Sequence, residues 1–201
     1  MAAKGNLYLD LNERQEEAAN KCLDCFIRKG FFATTSRDLS DALNLQSGGI
    51  YYYFKSKDDI VCACTEMAAI RLEINLIVPA FFELNDPNLL FENLFKRADE
   101  MAPTMCFLTS VCSTEKYKPM AQSVLSMLSK RYRLYAEKLA ERFRCEITEI
   151  EPYFYIGISA MANYMIFGTD RHIDMQMQIL KKKVTELVNN GEGEKSEWLS
   201  T

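Results

Sequence analysis

Apolar residues recur at helical spacing through most of the chain. Between Arg14 and Lys29, the residues Ala19, Cys22, Leu23, Phe26 and Ile27 form one stripe, the mark of an amphipathic helix. Gly30 supplies a C-terminal stop. Thr34-Thr35 come next, with Asp38 three residues after Thr35, which predicts an N-cap and a short helix to about Leu43. Asn44 tolerates left-handed backbone and fits a turn. A second short helix is predicted from about Gln46 to Phe54. Lys55-Ser56-Lys57-Asp58 break the pattern, with Ser56 as a new N-cap and Asp58-Asp59 in the first turn of a long helix. That helix is predicted to run toward Val78 and end near Pro79. Further helices are predicted over about 88–100, 104–112 after Pro103, 119–144, 147–167 and 175–188. Strand alternation and internal repeats are missing from the pattern, so the fold class is all-α. Three short helices form an N-terminal unit, a larger helical bundle follows, and residues 191–201 are expected to form a flexible tail.

Composition narrows the function classes. The chain has 201 residues, 48% apolar and 26% charged, with only 8 Gly and 5 Pro. This excludes collagen-like, mucin-like and wholly disordered chains, and the length suits one domain or two small ones. A chain of this size buries roughly 70% of its extended surface, so it needs no metal or disulfide to make a core. Residues 1–10 hold no apolar leader, and the best apolar run, Tyr153 to Gly168, spans 16 residues and contains Asn163. Export and a membrane span are therefore not expected. The seven cysteines are expected as free thiols in a reducing cytoplasm.

Chemistry-bearing motifs are sparse. His172 is the single histidine, so any His-based acid–base scheme would rest on it alone. Cys22 and Cys25 lie on a helix, and Cys62 and Cys64 diverge by about 200° on another, so a zinc site is not expected. Cys106 and Cys112 are the two thiols considered as sensors; most of the cysteines read as small core residues. Glu146, Glu149 and Glu151 read as a solvated face. No nucleophile elbow, phosphate loop or HExxH sequence occurs. Neither enzymatic activity nor a cofactor is expected.

Thr34 to Lys57, TTSRDLSDALNLQSGGIYYYFKSK, is the most informative stretch. Two short helices joined near Asn44-Leu45 fit a helix-turn-helix, whose second helix enters the DNA major groove. That helix would present Gln46, Ser47, Gly48, Gly49 and part of Tyr51 to Tyr53. The glycines would let backbone approach DNA closely. The Gln46 amide suits adenine, and Ser47 suits a base edge or a phosphate. From spacing alone, a small helical subdomain with core aromatics is an equal reading. Leu39, Leu43, Leu45, Ile50 and Phe54 are core on either.

The same residues resemble the DNA-binding domain of the TetR family of transcriptional regulators. The family pattern places a Gly at the end of the first helix, Thr-Thr opening the second, a Gly in the third, then Tyr-Tyr-His-Phe, a break and Lys. Here these fall on Gly30, Thr34-Thr35, Gly48, Tyr51-Tyr52-Tyr53-Phe54, Lys55 and Lys57. The likeness covers about Glu16 to Ile60. The chain departs at Asn44 for the turn Gly, Leu43 for the preceding Ala, and Tyr53 for the usual His, which bears on phosphate contact or base preference. The resemblance implies that Thr35, Tyr52 and Lys55 touch the phosphate backbone. Arg37 and Lys57 are expected as additional phosphate contacts, and Gln46, Ser47 and Gly49 as base-reading groups.

Charge has to be read in that light. The net charge of −4 argues against a globally basic DNA coat. Residues 1–57 carry eight Lys/Arg against seven Asp/Glu, and the rest carries 16 against 21. The acidity lies mainly outside the DNA-reading part, where Arg37, Lys55 and Lys57 focus positive charge. Binding to DNA should weaken steeply with salt.

The resemblance further implies an effector pocket and dimerisation through the last two long helices. This gives residues 1–57 as the DNA-binding domain and 58–190 as the effector-binding and dimerisation domain. The small-residue-rich helix at 150–167 suits a subunit face. Met101, Met105, Cys106, Phe107, Leu108, Tyr132, Tyr155, Met161 and Met165 are expected around a pliable apolar pocket. The expected protein is a homodimeric repressor of a palindromic double-stranded operator, released by a small, largely apolar effector. An activator or a constitutive regulator of the same fold is the alternative.

Overall fold

The computed structural model describes residues 11–191, whose regular elements are all helical, with no strand among them. The predicted tail at 191–201 lies outside the described residues, except that Gly191 ends the last helix. In chain order the elements are α1 (Glu13–Lys29), α2 (Ser36–Ala42), a 3₁₀ turn (Gly49–Tyr52), α3 (Lys57–Leu72), a π turn (Glu73–Ile77), α4 (Val78–Phe82), α5 (Pro87–Ser113), a second 3₁₀ turn (Glu115–Tyr117), α6 (Lys118–Phe143), α7 (Ile147–Phe167) and α8 (Arg171–Gly191). The described residues form two compact units, one of residues 11–75 with 101–130 and one of residues 76–100 with 131–191.

The first unit is built on α1 against α3. Asn12 and Gln15 close a capping box at the start of α1, satisfying two N–H groups that the first turn leaves without partners. Along the seam, Ala18, Ala19, Cys22, Leu23 and Phe26 meet a helix that buries Ile60, Val61, Ala63, Cys64 and Ala68. The seam is narrow enough for the Cys64 thiol to donate to the Ala19 carbonyl at 3.4 Å. Arg71 extends the contact by donating to Asp24 at 2.7 Å and to Asn20 at 3.3 Å. Phe26 also packs on Phe107 of α5, with ring centroids 5.4 Å apart.

The second unit carries two long partners, α7 and α8. Gly157 lets them approach: a Cβ there would stand 3.0 Å from Leu180. Phe81, Tyr132, Tyr135 and Phe154 form an aromatic chain, and Arg142 lies over Phe81 while donating to its carbonyl at 3.0 Å. Glu83 takes Arg97 and Asn93 on its carboxylate, which holds that carboxyl below its usual range, Arg97 being the main cause.

Three expectations are corrected. Proline does not end the helices where predicted. Pro103 lies inside the continuous α5; it forfeits one backbone hydrogen bond, while Ala98, Thr104 and Phe107 around it are buried and hold the helix together. Pro79 does not end the chain's helical run either: it stands in the first turn of α4, where an N–H would have no partner within that helix. Third, the helix predicted at 46–54 is a turn and then a single 3₁₀ turn. Gly48 with φ +85° starts it, and two adjacent glycines give an α-helix too little to propagate.

The seven-residue helix α2 depends on its cap. The Thr35 hydroxyl accepts from the Asp38 N–H, and the Asp38 carboxylate accepts from the Thr35 N–H at 2.8 Å. Lys29 also pairs with Asp38. That hydrogen bond, with the Thr35 donors, holds the Asp38 carboxyl well below the usual carboxylate range. Removing the hydroxyl by Thr35→Ala is expected to lower stability by about 1 kcal/mol, read as a lower urea midpoint. A carboxyl with a depressed folded pKa stabilises above its unfolded pKa and loses that contribution as pH falls through the folded value. Amide exchange of Leu39–Leu43 should therefore accelerate below about pH 4, beyond the change in intrinsic exchange. In the core, Phe26→Ala should cost about 3–5 kcal/mol in the same unfolding experiment.

Candidate nucleic-acid interface

The loop after α1 is fixed before α2 begins. Gly30, at φ +88°, donates to the Phe26 carbonyl at 2.8 Å. Buried Thr34 returns its hydroxyl to the Gly30 carbonyl at 2.8 Å. After α2 the chain reverses on Asn44, at φ +57°, with Leu45 N–H donating to the Ser40 carbonyl at 3.0 Å. Asn44 thus takes the left-handed conformation that the sequence suggests.

The two glycines serve the turn itself. Gly48 supplies a positive φ, and a Cβ on Gly49 would stand 2.8 Å from the Leu45 Cβ. Such a contact cannot be relieved without moving the turn. The Ile50 N–H reaches the Ser40 hydroxyl at 3.4 Å, and Ile50 is fully buried. Leu39 and Phe54 are buried with it, whereas Leu43 and Leu45 are half-buried.

Around this turn the predicted site residues divide into two sets. Thr35 is engaged by its cap, and the Lys57 ammonium donates to the Thr34 carbonyl at 2.8 Å. Tyr53 is half-buried; its carbonyl accepts from Gln15 at 3.0 Å, and its ring meets Tyr52 edge-on at 5.3 Å. In contrast, Arg37, Gln46, Ser47, Gly48 and Lys55 are exposed. Tyr52 is 81% exposed. Tyr51, only partly considered from sequence, has its hydroxyl 3.1 Å from that of Ser36. This contact brings the start of α2, with Arg37, beside the 3₁₀ turn that carries Tyr52.

The set expected around an effector is less concentrated. Cys106 and Phe107 line a cleft of about 290 Å³ in the first unit, together with Phe26, Ile27, Gly30, Phe31, Pro103 and Ser110. Met101 and Met105 lie on the same stretch of α5 without lining it, and Leu108 is buried. Tyr132, Tyr155, Met161 and Met165 belong to the second unit, where the two methionines are buried on α7. All seven cysteines are free; burial pushes the Cys22 thiol up to about 12, while Cys106 is exposed. No three His, Cys, Asp or Glu side chains among the described residues are grouped to hold a metal ion, and no helix there is long and apolar enough to cross a membrane.

Comparison with known proteins converges on this region. The family model of bacterial regulatory proteins of the tetR family matches residues 21–64, from within α1 through the 3₁₀ turn into α3. No curated protein matches the chain. Among solved structures, a transcriptional regulator of the TerR/AcrR family from Aquifex aeolicus VF5 is similar, with a TM-score of 0.55 and 16% identity over 86% of this chain and 98% of that one. At that identity the likeness is one of fold. The helix-turn-helix thus lies within the segment that matches the tetR family model, and the chain shares the helical fold of that regulator.

Proposed function

We propose that the chain is a cytoplasmic, homodimeric repressor that binds a palindromic double-stranded operator and leaves it when a small, largely apolar effector binds. The observation that carries this reading is the exposed group Arg37, Gln46, Ser47, Tyr52 and Lys55 on a turn tied down from several sides. Exposed amide, hydroxyl and cationic groups on a rigid scaffold are what base edges and phosphates require. In this reading Gln46 and Ser47 reach base edges, with Gly48 and Gly49 shaping their turn. Tyr52, Lys55 and Arg37 hold phosphates, while Thr35, Tyr53 and Lys57 border the same surface. Residues 1–57 read DNA, and residues 58–190 give effector and dimer functions.

Dimerisation draws support from the outer faces of α7 and α8. Tyr155, Phe167, Met175 and Ile179 are exposed there, Phe167 by 78%. Apolar side chains at such density suit a second copy of the same helices. The residues expected around an effector divide between the units, Met101, Met105, Cys106 and Phe107 in the first and Tyr132, Tyr155, Met161 and Met165 in the second; the effector is assigned to the first set, where Cys106 and Phe107 line the cleft. Release is a population shift: an effector that prefers the conformation with the wrong spacing between reading turns lowers DNA affinity, and DNA lowers effector affinity equally.

Selection of bound duplexes from a random pool tests the reading. It should enrich a palindrome with half-sites separated by about one helical turn or a little more. Tyr52→Phe combined with Lys55→Ala should weaken binding to all duplexes and lower the salt slope by about 1 to 2. Gln46→Ala should instead alter the preferred base at one position per half-site. If no sequence is enriched and neither change moves DNA affinity, the reading fails. In sedimentation, Met175→Glu with Ile179→Glu should convert a dimer to a monomer.

A further inference from the structure

Three ties hold the segment from Tyr53 to Lys57 from within the helix-turn-helix: Gln15 on the Tyr53 carbonyl, the burial of Phe54, and Lys57 on the Thr34 carbonyl. A fourth comes from much later in the chain. Asp58, in the first turn of α3, accepts on one oxygen from the Tyr117 hydroxyl at 2.8 Å and from the Lys116 ammonium at 2.6 Å. Both donors stand on the 3₁₀ turn between α5 and α6.

That turn is well built for holding. The Thr114 hydroxyl donates to the Ser110 carbonyl at 2.8 Å, and the Tyr117 N–H donates to the Thr114 carbonyl at 2.9 Å. The half-buried Tyr117 ring stands edge-on to Phe31 at 5.9 Å. Phe31 follows Gly30 in the loop leading to α2 and packs on Phe107 of α5 at 5.8 Å. Tyr117 therefore touches the reading module twice, by its ring on the entry to α2 and by its hydroxyl on the entry to α3. Burial, with the Asp58 contact second, pushes the phenol up to about 12, so it remains a donor at neutral pH.

We infer that Tyr117 is a positioning residue for DNA reading: its hydroxyl, through Asp58, fixes the start of α3 and hence the place of Lys55 and Tyr52 relative to α2. The inference rests on the proposed DNA-reading face. Tyr117 adds no contact to DNA itself, which separates its signature from that of a phosphate-binding group. A lost phosphate contact lowers affinity and also reduces the salt slope by about 1. A lost positioning contact lowers affinity at unchanged slope.

The experiment uses the full-length protein and the duplex recovered by selection. Tyr117→Phe keeps the ring against Phe31 and removes only the hydroxyl. It should weaken binding about 3- to 10-fold with the wild-type salt slope. Asp58→Asn, which also gives up the Lys116 ion pair, should lose at least as much, and the double variant should lose no more than Asp58→Asn alone, because the hydroxyl's contact is then already broken. Wild-type affinity in Tyr117→Phe, independent losses that multiply, or a salt slope reduced by about 1 would each overturn the inference. A second measurement needs no DNA. In the free protein, amide exchange over residues 52–58 should accelerate in Tyr117→Phe while α8 stays at its wild-type rate. Unchanged exchange there also overturns the inference, even if selection recovers no operator and the proposed function itself falls.

Discussion

The structure of the reading unit depends on the seam between α1 and α3. A seven-residue helix and a single 3₁₀ turn make too few internal hydrogen bonds to persist in water on their own. They take their position from a surface already made, in which Leu23 and Phe26 of α1 and Ile60 and Val61 of α3 are buried beside Ala19, Ala63, Cys64 and Ala68. Large side chains supply apolar area and small ones set the distance. Leu39, Ile50 and Phe54 complete that surface from α2 and the turn. The cysteines of this seam are packing residues, and burial is the main reason that the Cys22 and Cys64 thiols are held above their ordinary range.

Once the seam is in place, the polar groups of the loops have to be answered, since buried backbone donors and acceptors without partners are costly. Polar side chains, short and long, do this. Thr34 answers Gly30, Ser40 answers Ile50, Lys57 answers Thr34 and Gln15 answers Tyr53. Each bond is modest, about 1 kcal/mol. Together they turn a stretch with two glycines into a fixed one, while the groups pointing away from the seam stay unpaired and exposed. Display therefore follows from satisfaction elsewhere: Gln46, Ser47 and Lys55 face solvent because other residues meet the internal needs of the turn.

Much of this was legible in the sequence because it is local. The apolar stripe of α1, the Thr35–Asp38 cap, the turn at Asn44 and the Ser56 cap depend on residues within four positions of one another, and the structure contains each. What escaped depends on distance along the chain or on the balance of local penalties. Pro103 reads as a helix end because its missing N–H is local, while the burial around it that keeps α5 continuous is not. Gly48 and Gly49 read as a permissive stretch within a helix, but the neighbour that forbids a side chain on Gly49 is Leu45. The Lys57–Thr34 bond leaves no sequence signal: a lysine in a basic stretch looks the same whether it faces a phosphate or a carbonyl 23 residues away. The expected effector residues scatter for the same reason, since methionine and aromatic side chains pack a core as readily as they line a cavity.

The net charge of −4 becomes compatible with DNA once the partners of the acids are known. In the reading unit Glu17 sits against Lys21, Asp24 against Arg71, Asp38 against Lys29 and Asp58 against Lys116. Surface pairs of this kind add little stability, yet each cancels much of its own field at the distance of an approaching phosphate. Arg37 and Lys55 are exposed and make no ion pair among the described residues, so their fields are not offset in this way. At about 0.1 M salt, charges more than roughly 10 Å away are largely screened. What an approaching backbone senses is then set by the nearest unpaired cations rather than by the sum over the chain. A formal count treats Asp38 and Lys55 as equal and opposite; the geometry makes the first a structural group and leaves the second to face solvent.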